Sequence, residues 1–352
     1  MGFFTDKEEA SLKISRWILH VVNDKKNFDA MPERKPEHTD FFLKKIIETA
    51  ADPIFSFEDV SATRSELEAI AAGGTTFKRG GQSLARSFNS KHTGGSADGV
   101  LCMFELLVDD PNTKIYSLIK YDYRVALEQD GAKPQAALRR IVTALIDDSR
   151  AVQKTALIRV VAGVAETEVS AKDRKKQAPD LADYFSEFLG VSRAISNEEL
   201  SKKARDILSR ALKACKDDLP GGDVPKAFKA AQASLGRRLQ VDENAIIEAV
   251  ILAAGDPEDE RVRKHLERET RRRVKESKLH ELEFKPDRSV LRQPAMRKLV
   301  TVEGITVTFL DVDDNPNVKI TDRPGGGQQI VIETKQIKEN NLVATPPGQP
   351  AQ

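Results

Sequence analysis

Apolar and polar positions along this chain follow two rhythms, and the switches between them predict the elements. Residues 12–22 (LKISRWILHVV) place Ile14, Arg16, Ile18 and His20 on one side and Ser15, Trp17, Leu19 and Val21 on the other. That period of two predicts a strand, with His20 as a packed strand residue. Residues 40–50 (DFFLKKIIETA) predict a short amphipathic helix with Phe42, Ile46 and Thr49 on one side, stopped by Pro53. Residues 61–72 predict another, with Ser61 or Thr63 as its N-cap. The glycine-rich stretch 73–81 (GGTTFKRGG) is expected to be a flexible loop. A turn at residues 94–99 feeds an apolar run at 100–108 (VLCMFELLV), a turn at 109–112 and a second run at 113–121 (TKIYSLIKY), the clearest β-hairpin in the chain. Asp98 is expected to shape its turn and Glu105 to sit on the exposed sheet face. A further apolar run at 151–164 completes the picture of a mixed or antiparallel sheet carrying helices.

The second half reads differently. After a polar connection at 171–179, residues 180–190 (DLADYFSEFLG) predict a short helix. Asp180 is its expected N-cap, Gly190 its left-handed C-cap, and Leu181, Tyr184, Phe185, Phe188 and Leu189 its core face. Residues 197–217 and 225–239 predict two basic helices separated by Pro-Gly-Gly at 220–222, and residues 241–254 a more apolar one. Asp256-Pro257 starts a long helix in which Val262, Leu266, Thr270 and Val274 recur every fourth residue. From residue 297 the period returns to two, through Leu299, Thr301 and Glu303, then Ile305, Val307 and Phe309. Residues 318–320 and 329–334 fit a small antiparallel sheet. The tail at 342–352 (LVATPPGQPAQ) has the composition of a disordered segment. The expected fold class is therefore α+β: an N-terminal α+β domain over residues 1–170, a C-terminal basic helical domain with a small β-sheet over 171–338, and a disordered tail over 339–352.

Charge changes this picture locally. The chain of 352 residues has a net charge of only +1, so it has no bulk attraction for a polyanion. Yet residues 261–298 hold 14 Lys and Arg against 6 Asp and Glu, and residues 201–240 hold 10 against 4. On the long helix Arg261, Lys264, Arg268, Arg271, Lys275 and Lys278 follow steps of three and four, which places them on one stripe. Cations at that spacing can meet successive phosphates of a nucleic-acid backbone. Beyond Pro286, Asp-Arg-Ser-Val-Leu-Arg-Gln carries Arg288 and Arg292, which either join those contacts or organise the turn by pairing with Asp287. The competing reading is a solvated face. Glu260–Lys264, Glu267–Arg271 and Glu269–Arg273 are i,i+4 pairs, each worth roughly 0.2–0.5 kcal/mol with no ligand involved. No planar array of Asn, Gln and Arg points to base readout, so weak sequence preference is expected.

Several classes of chemistry find no support. Cys102 and Cys215 lie far apart and outside any CxxC pair, which suits a reducing compartment and argues against a disulfide scaffold or a structural zinc site. No apolar run approaches the roughly 20 residues of a membrane span, and the start, MGFFTDKEEASLK, lacks a signal-peptide core, so a soluble cytoplasmic protein is expected. Lys78 and Arg79 precede the second glycine pair, unlike a phosphate-binding loop. Asp311-Val-Asp313-Asp-Asn315, with Asp322 at the twelfth position, imitates a calcium loop but has Pro316 where glycine is required, and reads as an acidic hairpin turn. Glu283-Phe-Lys285 matches the tail of a nuclease E-x-K pattern without an identifiable upstream aspartate. No catalytic residue, cofactor or metal is expected.

Four segments, Ile14-Ser-Arg-Trp-Ile-Leu-His20, Ala97-Asp-Gly99 running into its strand, Asp183-Tyr-Phe-Ser-Glu-Phe-Leu-Gly190 and Phe284-Lys-Pro-Asp-Arg-Ser-Val-Leu-Arg-Gln293, resemble the bacterial nucleoid-associated family typified by NdpA, also called YejK. The likeness spans roughly residues 10–335, and the DYFxxFLG and DRSxLRQ segments carry it. The chain departs from the pattern in its acidic start, its basic helices near residues 202–238 and its Pro-rich tail. The resemblance implies a cytoplasmic, nucleoid-located, non-enzymatic protein that binds double-stranded DNA as a homodimer. With the cationic stripe it makes Lys264, Arg268, Arg271, Lys275, Lys278, Arg288 and Arg292 the candidate DNA contacts. Two alternatives stand beside it. One is a DNA-sensing subunit of a bacterial anti-phage defence system, working with a DNA-processing or defence protein partner. The other is a metal-dependent nuclease using Glu283 or Asp98.

Overall fold

The apolar run at residues 100–106 does not alternate because the sheet that contains it is covered on both faces. The computed structural model describes residues 2–23, 28–91, 98–122, 124–129, 138–144, 151–312 and 317–341. Its strands begin with β1 (Lys13–Val22), β2 (Glu33–Arg34), β3 (Phe55–Phe57), β4 (Gly99–Leu107) and β5 (Thr113–Asp122). A separate two-stranded ribbon follows, β6 (Arg124–Gln129) with β7 (Leu138–Ala144). Then come β8 (Val152–Val161), β9 (Val164–Ala165), β10 (Glu168–Asp173) and β11 (Val191–Arg193). The main sheet runs β11-β3-β10-β8-β5-β4-β1-β2, with β9 paired to β8, and every pairing in it is antiparallel.

Consecutive residues of β1 show the two-sided burial. Trp17 stacks on Phe104, 5.7 Å away, and leans on Phe42 of α2 (Thr39–Thr49). Ile18 points the other way, towards α4 (Phe77–Lys91). The Trp17 face buries Phe3, Phe4, Leu12, Ile46 and Ile119. The Ile18 face is roofed by α3 (Ala62–Ala71), α4 and α5 (Asp183–Leu189), where Phe88 of α4 meets Phe185 and Phe188 of α5 edge-on. An antiparallel sheet with one wet face would show clean alternation, and this one shows near-continuous apolar strands instead.

Three expectations need correction here. Residues 77–81 belong to α4 and not to a loop. Gly80 and Gly81 are buried where that helix crosses α3 and β1, and a Cβ on Gly81 would meet Ile18 Cγ2 at 2.7 Å. Glu105 is buried, not exposed. Its carboxylate accepts from Ser15 Oγ (2.9 Å) and Tyr116 OH (3.1 Å), and Lys114 lies 3.7 Å away. Asp180 does not cap α5. The cap is Ala182, whose N–H donates to Asp173 Oδ2 at 2.9 Å, while Asp180 pairs with Arg193. The other expected caps form: Ser61 accepts from Arg64 N–H, and Gly190 takes a left-handed φ of 63°.

The helices of the second half are α6 (Asn197–Ala214), α7 (Val224–Gly236), α8 (Glu243–Ala253), α9 (Glu260–Glu276) and the short α10 (Arg288–Leu291). A capping box between Ser196 and Glu199 starts α6, and Asp223, Asp242 and Asp259 start the next three. These helices fall in one compact unit with the sheet, Met1–Arg292, and the boundary expected near residue 170 lies inside it. A second unit, Gln293–Gln352, holds two separate antiparallel pairs, β12 (Met296–Val300) with β13 (Thr306–Leu310) and β14 (Val318–Asp322) with β15 (Gln328–Ile332). The architecture is α+β: a large antiparallel sheet with helices, then helices, then small antiparallel strand pairs. Among the described residues no helix is long and apolar enough to cross a membrane. The expected turn at residues 94–97, the central residues of the Asp311–Asn315 turn and the tail from residue 342 lie outside the described residues.

Candidate nucleic-acid interface

The long cationic helix is held by the apolar line that predicted it. Leu266, Thr270 and Val274 are fully buried in α9, Val262 half-buried, and the Thr270 hydroxyl donates to Leu266 O at 2.7 Å. Burying Leu266 and Val274 contributes about 1.5–3 kcal/mol each. They dock α9 against α6 and α8. Two contacts fix the direction of packing. Asp218, just past the end of α6, meets His265 near the start of α9 at 2.7 Å. Arg210, near the end of α6, reaches Ser277 (2.6 Å) and Glu276 (3.7 Å) at the far end of α9. The helices are therefore antiparallel. The chain after α9 continues along α6, until Asp287 N–H donates to Ser201 Oγ at 2.8 Å near the start of α6. The cations of α9 and α10 are thus strung along α6, whose 18 residues span about 27 Å.

The seven candidate residues separate by what already holds them. Arg268, Arg288 and Arg292 are exposed and form no ion pair among the described residues. Asp287 does not pair with either of its neighbouring arginines. Its carboxylate accepts from Ser289 Oγ (2.6 Å), Val290 N–H (3.3 Å) and Ser289 N–H (2.8 Å), which caps α10 and holds the carboxyl below the usual range. Lys264 pairs with Glu260 at 2.9 Å, but both side chains are about three-quarters exposed, and such a pair is worth under about 1 kcal/mol. Lys278 lies 3.9 Å from Glu168, again with both side chains exposed. Lys275 is half-buried.

Arg271 is the exception. It bridges Glu267 (2.9 Å) and the buried Glu243 (3.0 Å). Burial drives the Glu243 carboxyl upward, but the hydrogen bond from His280 (2.7 Å) and the charges of His280, Arg271 and Lys275 outweigh it, leaving the group below its ordinary value. Withdrawing Arg271 would leave a buried carboxylate short of a cation, a change that costs several times more than opening a surface pair. Arg273, which lies off the proposed stripe, is buried on Glu269 (2.8 Å). All three acid-before-base pairs expected from spacing therefore exist, and two of them take up stripe cations, Lys264 and Arg271.

A cavity of about 680 Å³ lies between the β8–β10 region of the sheet and the start of α8. Lys154, Lys172, Asp173, Glu243, Glu281 and Glu283 are among its lining residues. The buried Lys154 and Asp173 side chains pair with each other, and Lys154 Nζ sits 4.7 Å from the Tyr184 ring centre. Over the whole lining, five carboxylates (Asp173, Asp242, Glu243, Glu281 and Glu283) face four cations (Lys154, Lys172, Arg174 and Lys176), a near balance that gives a polyanion no net attraction. Glu283 reaches the cavity, whereas Asp98 stands exposed before β4. Among the described residues, two groups of metal-donor side chains converge, Cys215–Asp218–His265 and Glu243–His280–Glu281, and neither contains Asp98 or Glu283.

No protein-family model matches this chain, and no curated protein sequence matches it significantly.

Proposed function

We propose that the protein binds double-stranded DNA with little sequence preference, through phosphate contacts from Arg268, Arg288 and Arg292. Lys264 and Lys278 join by giving up weak exposed pairs, and Arg271 stays bound to Glu243. The observation that supports this is three exposed arginines with no carboxylate partner among the described residues, carried by elements strung along a helix about 27 Å long. That span is most of one turn of B-form DNA, roughly 34 Å. The net charge of +1 makes the contact local, since the chain as a whole has no bulk attraction for a polyanion. Location at the nucleoid and assembly with a second copy of the chain belong to the same proposal. Exposed Val300, Val302, Ile305 and Leu310 in the second unit give a second copy apolar surface to cover.

Affinity for a DNA duplex measured against salt tests the reading. Log affinity should fall by about 0.9 per phosphate neutralised for each unit of log salt. The triple variant R268E/R288E/R292E should lower that slope by about 2 to 3 while keeping the helical circular-dichroism signal. A slope equal to that of the wild type would place the interface elsewhere. Plasmid incubated with magnesium or manganese should stay intact, and cleavage would replace the binding proposal with the nuclease reading.

A further inference from the structure

Where α6 ends against α9, three side chains of different donor chemistry meet. Cys215 is the C-cap residue of α6, and Asp218 closes the single 3-10 turn that follows, its N–H donating to Cys215 O at 3.0 Å. His265 comes from the second turn of α9. The Cys215 sulfur, a carboxylate oxygen of Asp218 and a ring nitrogen of His265 all lie within 4.8 Å of one another. We propose that Cys215, Asp218 and His265 form a binding site for a divalent transition-metal ion of the zinc class. The proposal is independent of the DNA reading.

Four observations carry it. First, the donor set is thiolate, imidazole and carboxylate, which suits zinc or cobalt and not the oxygen-seeking magnesium or calcium. Second, the geometry is close to that needed. Metal–ligand bonds of about 2.0–2.3 Å in a tetrahedron put donor atoms roughly 3.3–3.8 Å apart. The Asp218–His265 contact of 2.7 Å would open by about half an ångström or more as the metal replaces the proton between them. Third, the Cys215 side chain is 99 % buried at 1 % exposure yet makes no hydrogen bond among the described residues, while Asp218 and His265 keep 21 % and 38 % of their side chains open to entering ions. Fourth, the surroundings favour a cation. The C-terminal carbonyls of α6 bring partial negative charge.

Metal loading forms the sulfur–metal bond and releases the thiol proton to solvent. The imidazole ligates as the neutral ring, its remaining proton on the other nitrogen. Glu269, one turn beyond His265, is held by Arg272 (2.9 Å) and Arg273 (2.8 Å), so the fourth position falls to water from the exposed side. The ion would clamp the end of α6 to the helix that carries Arg268.

Cobalt titration of the chelator-treated full-length chain tests this directly. One equivalent should bring up thiolate-to-cobalt charge-transfer absorption in the near ultraviolet, displaceable by zinc. Cys215→Ser should abolish that band, and Cys102→Ser, deep in β4, should keep it. His265→Gln, at a part-exposed position, should weaken cobalt binding at least about tenfold, since even groups outside the ligand shell are worth 10–100-fold. A wild-type protein without the charge-transfer band, a band that survives Cys215→Ser, or an unchanged affinity in His265→Gln would each overturn the site.

Discussion

His20 shows how burial alone sets a titration. Its side chain is fully buried between β1 and α4, its ring stacks on Phe28 at 5.3 Å, and neither ring nitrogen has a hydrogen-bond partner among the described residues. Burial first, and the charge of Arg86 second, lower its pKa from 6.5 to about 4. Between those values the unfolded chain takes up a proton that the folded chain refuses, so this group's contribution to stability is complete above about 6.5 and is lost as pH falls towards 4. The full loss is at most about 3 kcal/mol. Asp52 acts in the opposite sense. Burial pushes its carboxyl up to about 6 against the hydrogen bond from His280 N–H (2.9 Å), so acidification through that window favours the fold. The two partly cancel in the wild type, and the informative comparison is with His20→Leu. Denaturant unfolding at pH 7.5 and 5.0 should show the variant losing less stability on acidification than the parent, by about 1–2 kcal/mol. Equal losses would mean that His20 finds its proton in the folded state. The strand position of His20 was legible from period two. The burial of Glu105 was not, because an acid inside an apolar run looks solvent-facing until Ser15 and Tyr116, from neighbouring strands, are known to meet it.

At the level of elements, spacing predicted those whose apolar face is sequence-local, and failed where a partner decides. The four-residue step of Leu266, Thr270 and Val274 gave α9 and its buried side correctly, since all three are fully buried. The GGTTFKRGG stretch misled because glycine weighs against a helix by about 1 kcal/mol. In α4 that cost is outweighed by close approach: Gly81 lets the helix lie on Ile18, and Gly80 lets it lie on Ile70. Gly81→Ala weighs these effects against each other. Helix propensity alone would stabilise by about 1 kcal/mol. The new methyl, however, would stand 2.7 Å from Ile18 Cγ2, on a β-branched side chain in a fully buried strand position that cannot swing away. Overpacking of that kind costs about 1–3 kcal/mol, so a net loss of stability is expected in chemical denaturation. A gain would mean that α4 sits further from the sheet than described. The metal-donor group at the end of α6 was invisible for a related reason. A local ligand pair such as CxxC is visible in a sequence, whereas Cys215 and His265 lie 50 positions apart and meet only because α6 and α9 pack antiparallel.

Over the whole molecule, the charge bookkeeping of the sequence located the cationic segment but not which cations are spoken for. Glu243 opens α8, where nothing in the spacing marks it as a partner for distant cations, and only the fold shows it holding Arg271 and His280. The second unit poses the sharper question of stability. Its two hairpins show a half-exposed and exposed alternation with no buried strand residue, and Met296, Val300, Ile305, Leu310 and Ile332 are open to water. Two-stranded pairs without a covered face are marginal in water, whereas strands β4, β5 and β8 are buried almost throughout. Hydrogen exchange should therefore divide the chain near residue 293. Amides of the strands at 296–300, 306–310, 318–322 and 328–332 should exchange orders of magnitude faster than those of residues 100–106 and 115–121, which open only with the fold as a whole. If the hairpin amides of dilute protein were protected as long as those of the sheet, the hairpins would be as stable as the sheet and not marginal. Protection that rises with protein concentration would instead show the exposed apolar faces covering one another in a second copy of the chain, the assembly that the DNA-binding proposal includes.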